Sequence, residues 1–306
     1  MDPLILLFAL GVIARLARSD LRFPEPVYEA LSIYLLLAIG LKGGVELSHQ
    51  DFSDVLPPAL AVIFLGFSIP FAVFPVLHRV VRLNKADAAS VAAHYGSVSV
   101  VTFAIASAYL ERRGVPVESF MSVLLALMEA PGIVAGVILA RNAGAKGASV
   151  MHEVLVNKGI VLLAGGIVIG VLIGSEGFAP LKPLFGDLFR GILALYLLEL
   201  GLVVGGRAGD LRRAGLRLIG FGILTPLIMG MIGLGIGSWI IGLTPGGAIM
   251  LAVLMASASY IAAPAAMRMA VPEANPALGI SAALAVTFPF NVFVNIPLLH
   301  HMGAWL

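Results

Sequence analysis

Two short serine-rich clusters interrupt apolar stretches of this sequence, and their residue types suit the binding of a small ion. The clusters are Gly96-Ser97-Val98-Ser99 and Ser257-Ala258-Ser259-Tyr260, and a shift of 160 positions superimposes their serines. If a helix breaks at such a cluster, one helix end exposes unpaired carbonyl groups and the next helix start exposes unpaired N–H groups. Helix starts favour an anion, and helix ends favour a cation. Serine hydroxyls add hydrogen-bond donors and acceptors without a fixed charge.

We therefore interpret the two clusters as one binding site for a small oxyanion. The candidate substrate-binding residues are Gly96, Ser97, Ser99, Ser257 and Ser259. The alternative for any single serine is that it replaces a missing backbone hydrogen bond or lets two helices pack closely. Matched interruptions in two halves of one chain favour the binding site, because they are the sequence signature of a secondary transporter.

Glu129 is the candidate for binding a cation. It lies about eleven residues inside an apolar segment, and a carboxylate at that depth in a membrane is costly and usually functional. The alternative is a protonated or locally paired structural residue. Thr287 takes the corresponding position in the second half, and Asn291 and Asn295 follow one and two turns later. We interpret these uncharged side chains as secondary ligands.

The composition indicates an integral membrane protein. Of the 306 residues, 60% are hydrophobic and only 12% are charged, whereas a soluble domain is about a quarter charged. The chain has no cysteine, which excludes disulfides, thiol nucleophiles and cysteine-based metal sites. The net charge of +2 gives no reason to expect nucleic acid as a partner. No motif typical of an enzyme occurs, so we expect neither catalysis nor a cofactor.

Ten apolar segments are each near the roughly 20 residues that cross a bilayer. They are residues 3–17, 27–46, 56–77, 86–110, 118–140, 157–174, 184–205, 214–242, 245–269 and 276–302. We predict an all-α membrane protein with ten transmembrane helices, in which segments 4 and 9 are discontinuous and cross at the midplane. The alternative is nine or eleven spans, because the first segment is short.

Short motifs recur in the same order in the two halves of the chain. Tyr34–Leu41 is similar to Tyr196–Leu202, and Pro131 corresponds to Pro289. Since each half holds five segments, an odd number, the second half must be inverted in the membrane. We predict a first five-helix repeat at residues 1–141, a short cytoplasmic connector at 142–156 and a second, inverted five-helix repeat at 157–306.

The distribution of basic residues predicts the orientation in the membrane. Connections that follow odd-numbered segments hold 14 of the 19 Lys and Arg residues. The positive-inside rule places these connections in the cytoplasm and both termini on the outer side of the cell (inner) membrane. At about 1.5 Å per residue, Ser97 and Ser257 then lie roughly 15 Å from opposite faces of the bilayer, which is near its midplane.

Further motifs accompany the serine clusters in an order that is similar to one known family. They are Leu56-Pro57-Pro58-Ala59-Leu60, Leu127-Met128-Glu129-Ala130-Pro131 and Val271-Pro272-Glu273-Ala274-Asn275-Pro276. Over nearly its whole length the chain resembles the sodium-dependent bicarbonate transporter family known from cyanobacteria. The resemblance implies sodium-coupled bicarbonate uptake by a core that moves against a gate domain in a homotrimer. By position, the four serines would surround bicarbonate, and Thr102 and Glu129 would lie near sodium.

Two features depart from that family. The cyanobacterial form has an acidic residue after its second serine cluster, where this chain has Tyr260, so we expect a different sodium site or substrate. The expected sodium region comprises Thr102, Glu129, Tyr260 and Asn291. The shorter connector argues against regulation by the PII-like partner of the cyanobacterial form. A small-anion channel, a sodium-coupled carrier of another small anion and a sodium/proton antiporter remain alternatives.

Overall fold

The computed structural model describes residues 3–141 and 156–305, and in these residues the chain folds into helices and connecting turns. The helices are α1 (Pro3–Leu16), α2 (Glu25–Leu47), α3 (Phe52–Pro75), α4 (Lys85–Gly96), α5 (Val100–Arg112), α6 (Met121–Arg141), α7 (Lys158–Phe178), α8 (Phe189–Gly206), α9 (Ala208–Gly235), α10 (Pro245–Ala256), α11 (Ala262–Ala270) and α12 (Pro276–Gly303). The predicted all-α class is confirmed for this part of the chain.

Eight helical stretches in the described residues are long and apolar enough to cross a membrane. They are Glu25–Leu47, Ser53–Val81, Lys85–Arg112, Met121–Arg141, Lys158–Leu181, Phe189–Gly206, Gly215–Ile241 and Pro276–Gly303. Two further apolar helices, α1 and α10, are shorter. The chain is therefore a multi-pass membrane protein.

Glycine lets two pairs of helices approach closely. Along the contact of α1 with α8, a Cβ on Gly11 would lie 2.1 Å from the carbonyl oxygen of Leu198. Along the contact of α2 with α7, a Cβ on Gly44 would lie 2.1 Å from the carbonyl oxygen of Ile167. Small residues are the usual means of close helix packing in membranes. In the remainder of the fold, α3, α4 and α6 pack together, and so do α9, α10 and α12.

Both serine clusters interrupt a helix, which confirms that prediction. α4 ends at Gly96 and α5 begins at Val100, while Ser97 and Ser99 are extended, with φ angles of −99° and −106°. The second interruption is longer, because α10 ends at Ala256 and α11 begins only at Ala262. Each of these two apolar segments is therefore built from two half-helices with a non-helical linker between them.

Two carboxylates connect the broken helices to loops of the opposite half. Asp87 in the first turn of α4 accepts a hydrogen bond from the backbone N–H of Asn275 (2.7 Å). Glu118, in the loop before α6, accepts from the backbone N–H of Thr244 (2.6 Å) and from its hydroxyl (3.0 Å) at the start of α10. Each first half-helix is thus attached to the other half of the chain at its N-terminus.

The last helix, α12, departs from regular α-helical geometry. It contains π-helical turns at Ser281–Thr287 and Asn291–Asn295, with Pro289 in the short α-helical stretch between them. Proline lacks the N–H that would continue the helix ladder, and π-helical turns are frequent at functional sites. These turns could not be recognised from the sequence, because they leave the apolar composition unchanged.

Candidate functional site

The non-helical linkers of the two broken helices contact each other directly. The backbone N–H of Ser259 donates to the carbonyl oxygens of His94 (2.7 Å) and Ser97 (3.1 Å). In the opposite direction, the backbone N–H of Ser99 donates to the hydroxyl of Ser257 (2.9 Å). Carbonyls at the end of α4 would otherwise lack partners, because a helix end leaves its last four carbonyls unpaired. The two breaks therefore satisfy part of each other's backbone.

Ser99 and Ser259 play equivalent roles as helix caps. The hydroxyl of Ser99 accepts from the backbone N–H of Thr102 (3.2 Å), and that of Ser259 accepts from the backbone N–H of Ala263 (3.3 Å). A capping serine uses a lone pair and keeps its own O–H proton. Both hydroxyls thus remain able to donate to an anion.

Ser97 and Ser257, which the sequence repeat makes equivalent, differ in their hydrogen bonds. The hydroxyl of Ser257 donates to the carbonyl oxygen of Leu254 (2.9 Å) and accepts from the N–H of Ser99. The side chain of Ser97 is 0% exposed, yet its hydroxyl has no partner among the described residues. A buried polar group without a partner is costly. Ser97 is therefore the one predicted serine whose hydroxyl is wholly available to a ligand.

The start of α5 offers further donors. Thr102 N–H is occupied by the Ser99 hydroxyl, but the N–H groups of Val100 and Val101 have no hydrogen-bond partner within the described part of the chain. Such groups at a helix start, together with the helix dipole, form a favourable environment for an anion. α5 has 13 residues, and its first residues Val100, Val101 and Thr102 are buried, so these donors face little competition from water.

A small cavity of about 10 Å³ lies at the start of both second half-helices. Its lining consists of Leu36, Val98, Ser99, Val100, Glu129, Ser259, Tyr260 and Ile261. The volume suits roughly one water-sized particle, which is smaller than a polyatomic anion. Four of the predicted site residues, Ser99, Glu129, Ser259 and Tyr260, are thereby brought to one cavity.

Glu129 and Tyr260 give this cavity oxygen atoms that could bind a cation. The side chain of Glu129 is 2% exposed, and neither its Oε2 atom nor the hydroxyl of Tyr260 has a hydrogen-bond partner among the described residues. An unpaired buried carboxylate requires a proton or a cation. Among residues 3–141 and 156–305, no group of three or more His, Asp or Glu side chains is placed to hold a metal ion. A cation here would therefore be held by one carboxylate with hydroxyl and carbonyl oxygens.

The other carboxylate oxygen of Glu129 faces the beginning of α7. A Cβ on Gly159 would lie 3.3 Å from Glu129 Oε1, and Asn157 caps this helix by accepting from the N–H of Gly159 (2.9 Å). The positive end of the α7 dipole thus lies beside Glu129. This contact joins α6 to a helix of the α2–α7 pair.

The remaining predicted site residues, Ser97 and Ser257 included, lie outside the cavity lining. Gly96 is a packing position, since a Cβ there would lie 2.3 Å from Pro70 Cγ. Thr102 is buried beside the Ser99 cap. The Asn291 amide donates to the carbonyl oxygen of Ala256 (2.8 Å), the last residue of α10, and its oxygen accepts from Asn295 (2.9 Å). Asn291 therefore caps the broken helix in this structure.

Three residues behind the site form a buried hydrogen-bond network that was not recognised from the sequence. The hydroxyl of Thr287 donates to the carbonyl oxygen of Gly222 (2.7 Å), and the hydroxyls of Thr287 and Tyr95 are hydrogen-bonded to each other (2.7 Å). Gly222 lies four residues before Pro226, which has no N–H to offer it. The sequence signal for these hydrogen bonds is therefore Pro226, a proline inside an apolar segment.

Comparison with models of known protein families gives a match over nearly the whole chain. The sequence model of the family described as the Na+-dependent bicarbonate transporter superfamily matches residues 3–304. No curated protein matched the chain. The matched residues include both serine clusters, Glu129 and all twelve helices.

Proposed function

Since the chain belongs to the Na+-dependent bicarbonate transporter superfamily, we propose that it is a secondary transporter that carries bicarbonate into the cell together with sodium. The observation that supports this most directly is the cavity at the starts of α5 and α11. It combines donors for an anion with the unpaired Oε2 atom of Glu129, so both ions have candidate ligands at one place.

We propose ten membrane spans in two inverted repeats, residues 1–141 and 157–306, with both termini outside the inner membrane. An inverted repeat exchanges the first segment with the sixth and the second with the seventh. The α1–α8 contact then corresponds to the α7–α2 contact, and glycine supports both. The hydrogen bonds of Asp87 and Glu118 likewise lie at equivalent places, the starts of the half-helices α4 and α10. The connector at 142–156 lies almost entirely outside the described residues.

Bicarbonate would be held by donors from both breaks. In the proposed complex, the N–H groups of Val100 and Val101 and the hydroxyls of Ser97, Ser99 and Ser259 surround the anion. Ser257 contributes indirectly, since its hydroxyl is saturated and fixes the Ser99 backbone. Preorganised neutral donors suit a monovalent oxyanion that must also be released.

Sodium would be held beside the anion by Glu129 and Tyr260, with Thr102 behind the Ser99 cap. An interior-negative membrane potential opposes entry of one anion by about 2.3 kcal/mol per 100 mV. One co-transported sodium ion cancels this cost and lets the sodium gradient drive accumulation. Each ion also offsets the charge of the other, so their affinities should be coupled reciprocally.

Alternating access requires the cavity to enlarge, because about 10 Å³ is too small for bicarbonate. Leu36 on α2 forms one wall, whereas the other lining residues belong to α5, α6 and the linkers. We propose that the helices around the breaks move as one core against α1, α2, α7 and α8, which supply a fixed surface in a homotrimer. No role for a PII-like regulator or for nucleic acid is proposed.

Uptake of labelled bicarbonate into proteoliposomes tests the function. We expect uptake to require an inward sodium gradient and, for one-to-one coupling, to be unaffected by membrane potential. Bicarbonate uptake at the same rate with and without a sodium gradient would contradict symport. Uptake of a different small anion but not of bicarbonate would show that the proposed substrate is wrong. Single-channel currents would indicate a channel. Sodium exchange for protons with no anion would indicate an antiporter that uses Glu129.

A further inference from the structure

We propose that His94 is a positioning residue that fixes the second break, and with it the Ser259 hydroxyl, against the first broken helix. This proposal rests on the proposed transport site, in which Ser259 is a ligand. His94 lies outside the lining of the site cavity, and its ring makes no contribution to the ion ligands proposed above. Its effect on the substrate would therefore act through Ser259.

His94 and Ser259 are joined by two hydrogen bonds that run in opposite directions. The imidazole Nδ1 donates to the carbonyl oxygen of Ser259 (2.6 Å), and the N–H of Ser259 donates to the carbonyl oxygen of His94 (2.7 Å). A carbonyl oxygen only accepts, so the geometry requires the proton on Nδ1. Both residues are almost fully buried, with 1% and 2% exposure, so water does not compete for these bonds.

The second break needs such an attachment more than the first. Five residues, 257–261, separate α10 from α11, compared with three between α4 and α5. A linker of this length has no helix ladder of its own to fix it. The His94 clamp attaches both backbone groups of Ser259 to α4, and the Ser259 hydroxyl caps α11 by accepting from Ala263 N–H. The position of one residue thus sets both the ligand hydroxyl and the start of α11.

The imidazole is itself held in place by α12. A Cβ on Gly279 would lie 2.4 Å from His94 Nε2 and 2.6 Å from its Cδ2 atom, so only glycine leaves room for the ring at this position. Substitution of Gly279 offers a way to displace the ring while His94 itself stays intact. Gly220 on α9 is a matched control, because a Cβ there would meet nothing within 4 Å.

The test uses the position of one donor atom. In His94→Asn the side-chain amide N–H occupies the place of Nδ1–H, whereas in His94→Gln it lies near the place of Nε2. Bicarbonate uptake into proteoliposomes at saturating sodium should give a KM for His94→Asn within about threefold of wild type. The KM for His94→Gln, His94→Ala and Gly279→Ala should rise by about tenfold, from loss of one buried hydrogen bond, with a smaller change in kcat. Gly220→Ala should match wild type.

A second readout does not depend on the substrate. The chain has no cysteine, so a single cysteine introduced at Ala258 reports the mobility of the second break through its rate of maleimide labelling. In the Ala258→Cys background, His94→Gln and Gly279→Ala should label faster than the Ala258→Cys parent, and His94→Asn should not. If wild type fails to transport bicarbonate but labelling follows this order, the proposed function is wrong and the positioning role stands. Equal KM values and equal labelling rates for the Asn and Gln variants would overturn the positioning role. This comparison does not need His94→Ala, so it holds even if that variant does not fold.

Discussion

The backbone N–H of Ser99 donates to the hydroxyl of Ser257 at 2.9 Å, which makes a serine of the second break part of the first. The positional equivalent of Ser257 is Ser97, whose buried hydroxyl has no partner among the described residues. The two serines occupy equivalent positions in the sequence repeat, but their hydroxyls differ in hydrogen bonding. Ser257 supports the backbone of Ser99, whereas the hydroxyl of Ser97 is left for the ligand of the proposed site.

Ser97→Ala should therefore mainly weaken bicarbonate binding, whereas Ser257→Ala should mainly lower the stability of the fold. Loss of the Ser97 hydroxyl should weaken bicarbonate binding by about tenfold and leave the thermal unfolding midpoint unchanged or slightly raised, since an unpaired buried group is removed. Loss of the Ser257 hydroxyl leaves the Ser99 N–H unpaired and should cost about 1–3 kcal/mol of stability. Unfolding in detergent and uptake kinetics measure the two effects. Equal loss of stability in both variants would contradict the distinction.

Glu129→Gln should act mainly on sodium. The substitution keeps the shape of the side chain but removes the charge that faces the cavity, so the sodium concentration for half-maximal uptake should rise at least about tenfold. The bicarbonate KM at saturating sodium should change much less. Tyr260→Phe is the matched comparison, because it removes one neutral oxygen and should shift sodium dependence only a few-fold. Unchanged sodium dependence in Glu129→Gln would indicate that this carboxylate serves the α7 helix start alone.

Thr287→Val should destabilise the protein through Pro226. The valine leaves the carbonyl oxygen of Gly222 without a donor, which should cost about 1–3 kcal/mol. Pro226→Ala restores a backbone N–H four residues after Gly222, so the cost of Thr287→Val should be smaller in that background. A double-mutant cycle on unfolding free energies measures this coupling. Additive effects would contradict the role assigned to Thr287.

Gly132→Ala should disturb the contact between α6 and the first break. A Cβ on Gly132 would lie 2.0 Å from the carbonyl carbon of Gly96, which is backbone and cannot rotate away. Overpacking of this kind costs about 1–3 kcal/mol. Gly165→Ala is the control, since a Cβ there meets nothing within 4 Å. A lowered unfolding midpoint in the first variant alone is expected, and equal midpoints would show that α6 can move aside.

The sequence predicted the features that depend on local composition. Apolar runs located the helices, and the serine clusters located both interruptions, because breaks and spans are visible in a window of about 20 residues. Ser99, Ser259 and Glu129 were selected in the same way, whereas Tyr260 was selected because it departs from the pattern of the similar family. The structure brings all four to one cavity.

The partners of individual polar groups could not be predicted, because they lie far apart in the chain. Nothing near His94 in the sequence reveals Ser259 as its hydrogen-bond partner. Asn291 was chosen as a secondary ligand from its spacing, but its amide is used at the end of α10. The π-helical turns of α12 are set by proline positions and packing together, which composition alone does not separate.

The mutual hydrogen bonds of the two breaks also bear on how the protein is made. During synthesis, α4 and α5 leave the ribosome well before residues 257–259, which lie about 150 residues later in the chain. Until then the N–H of Ser99 and the carbonyl of His94 lack the partners that they have in the finished fold. Unpaired backbone groups are not tolerated in hydrocarbon. The first half of the nascent chain must therefore be kept in contact with water or with the insertion machinery until the second half arrives to complete it.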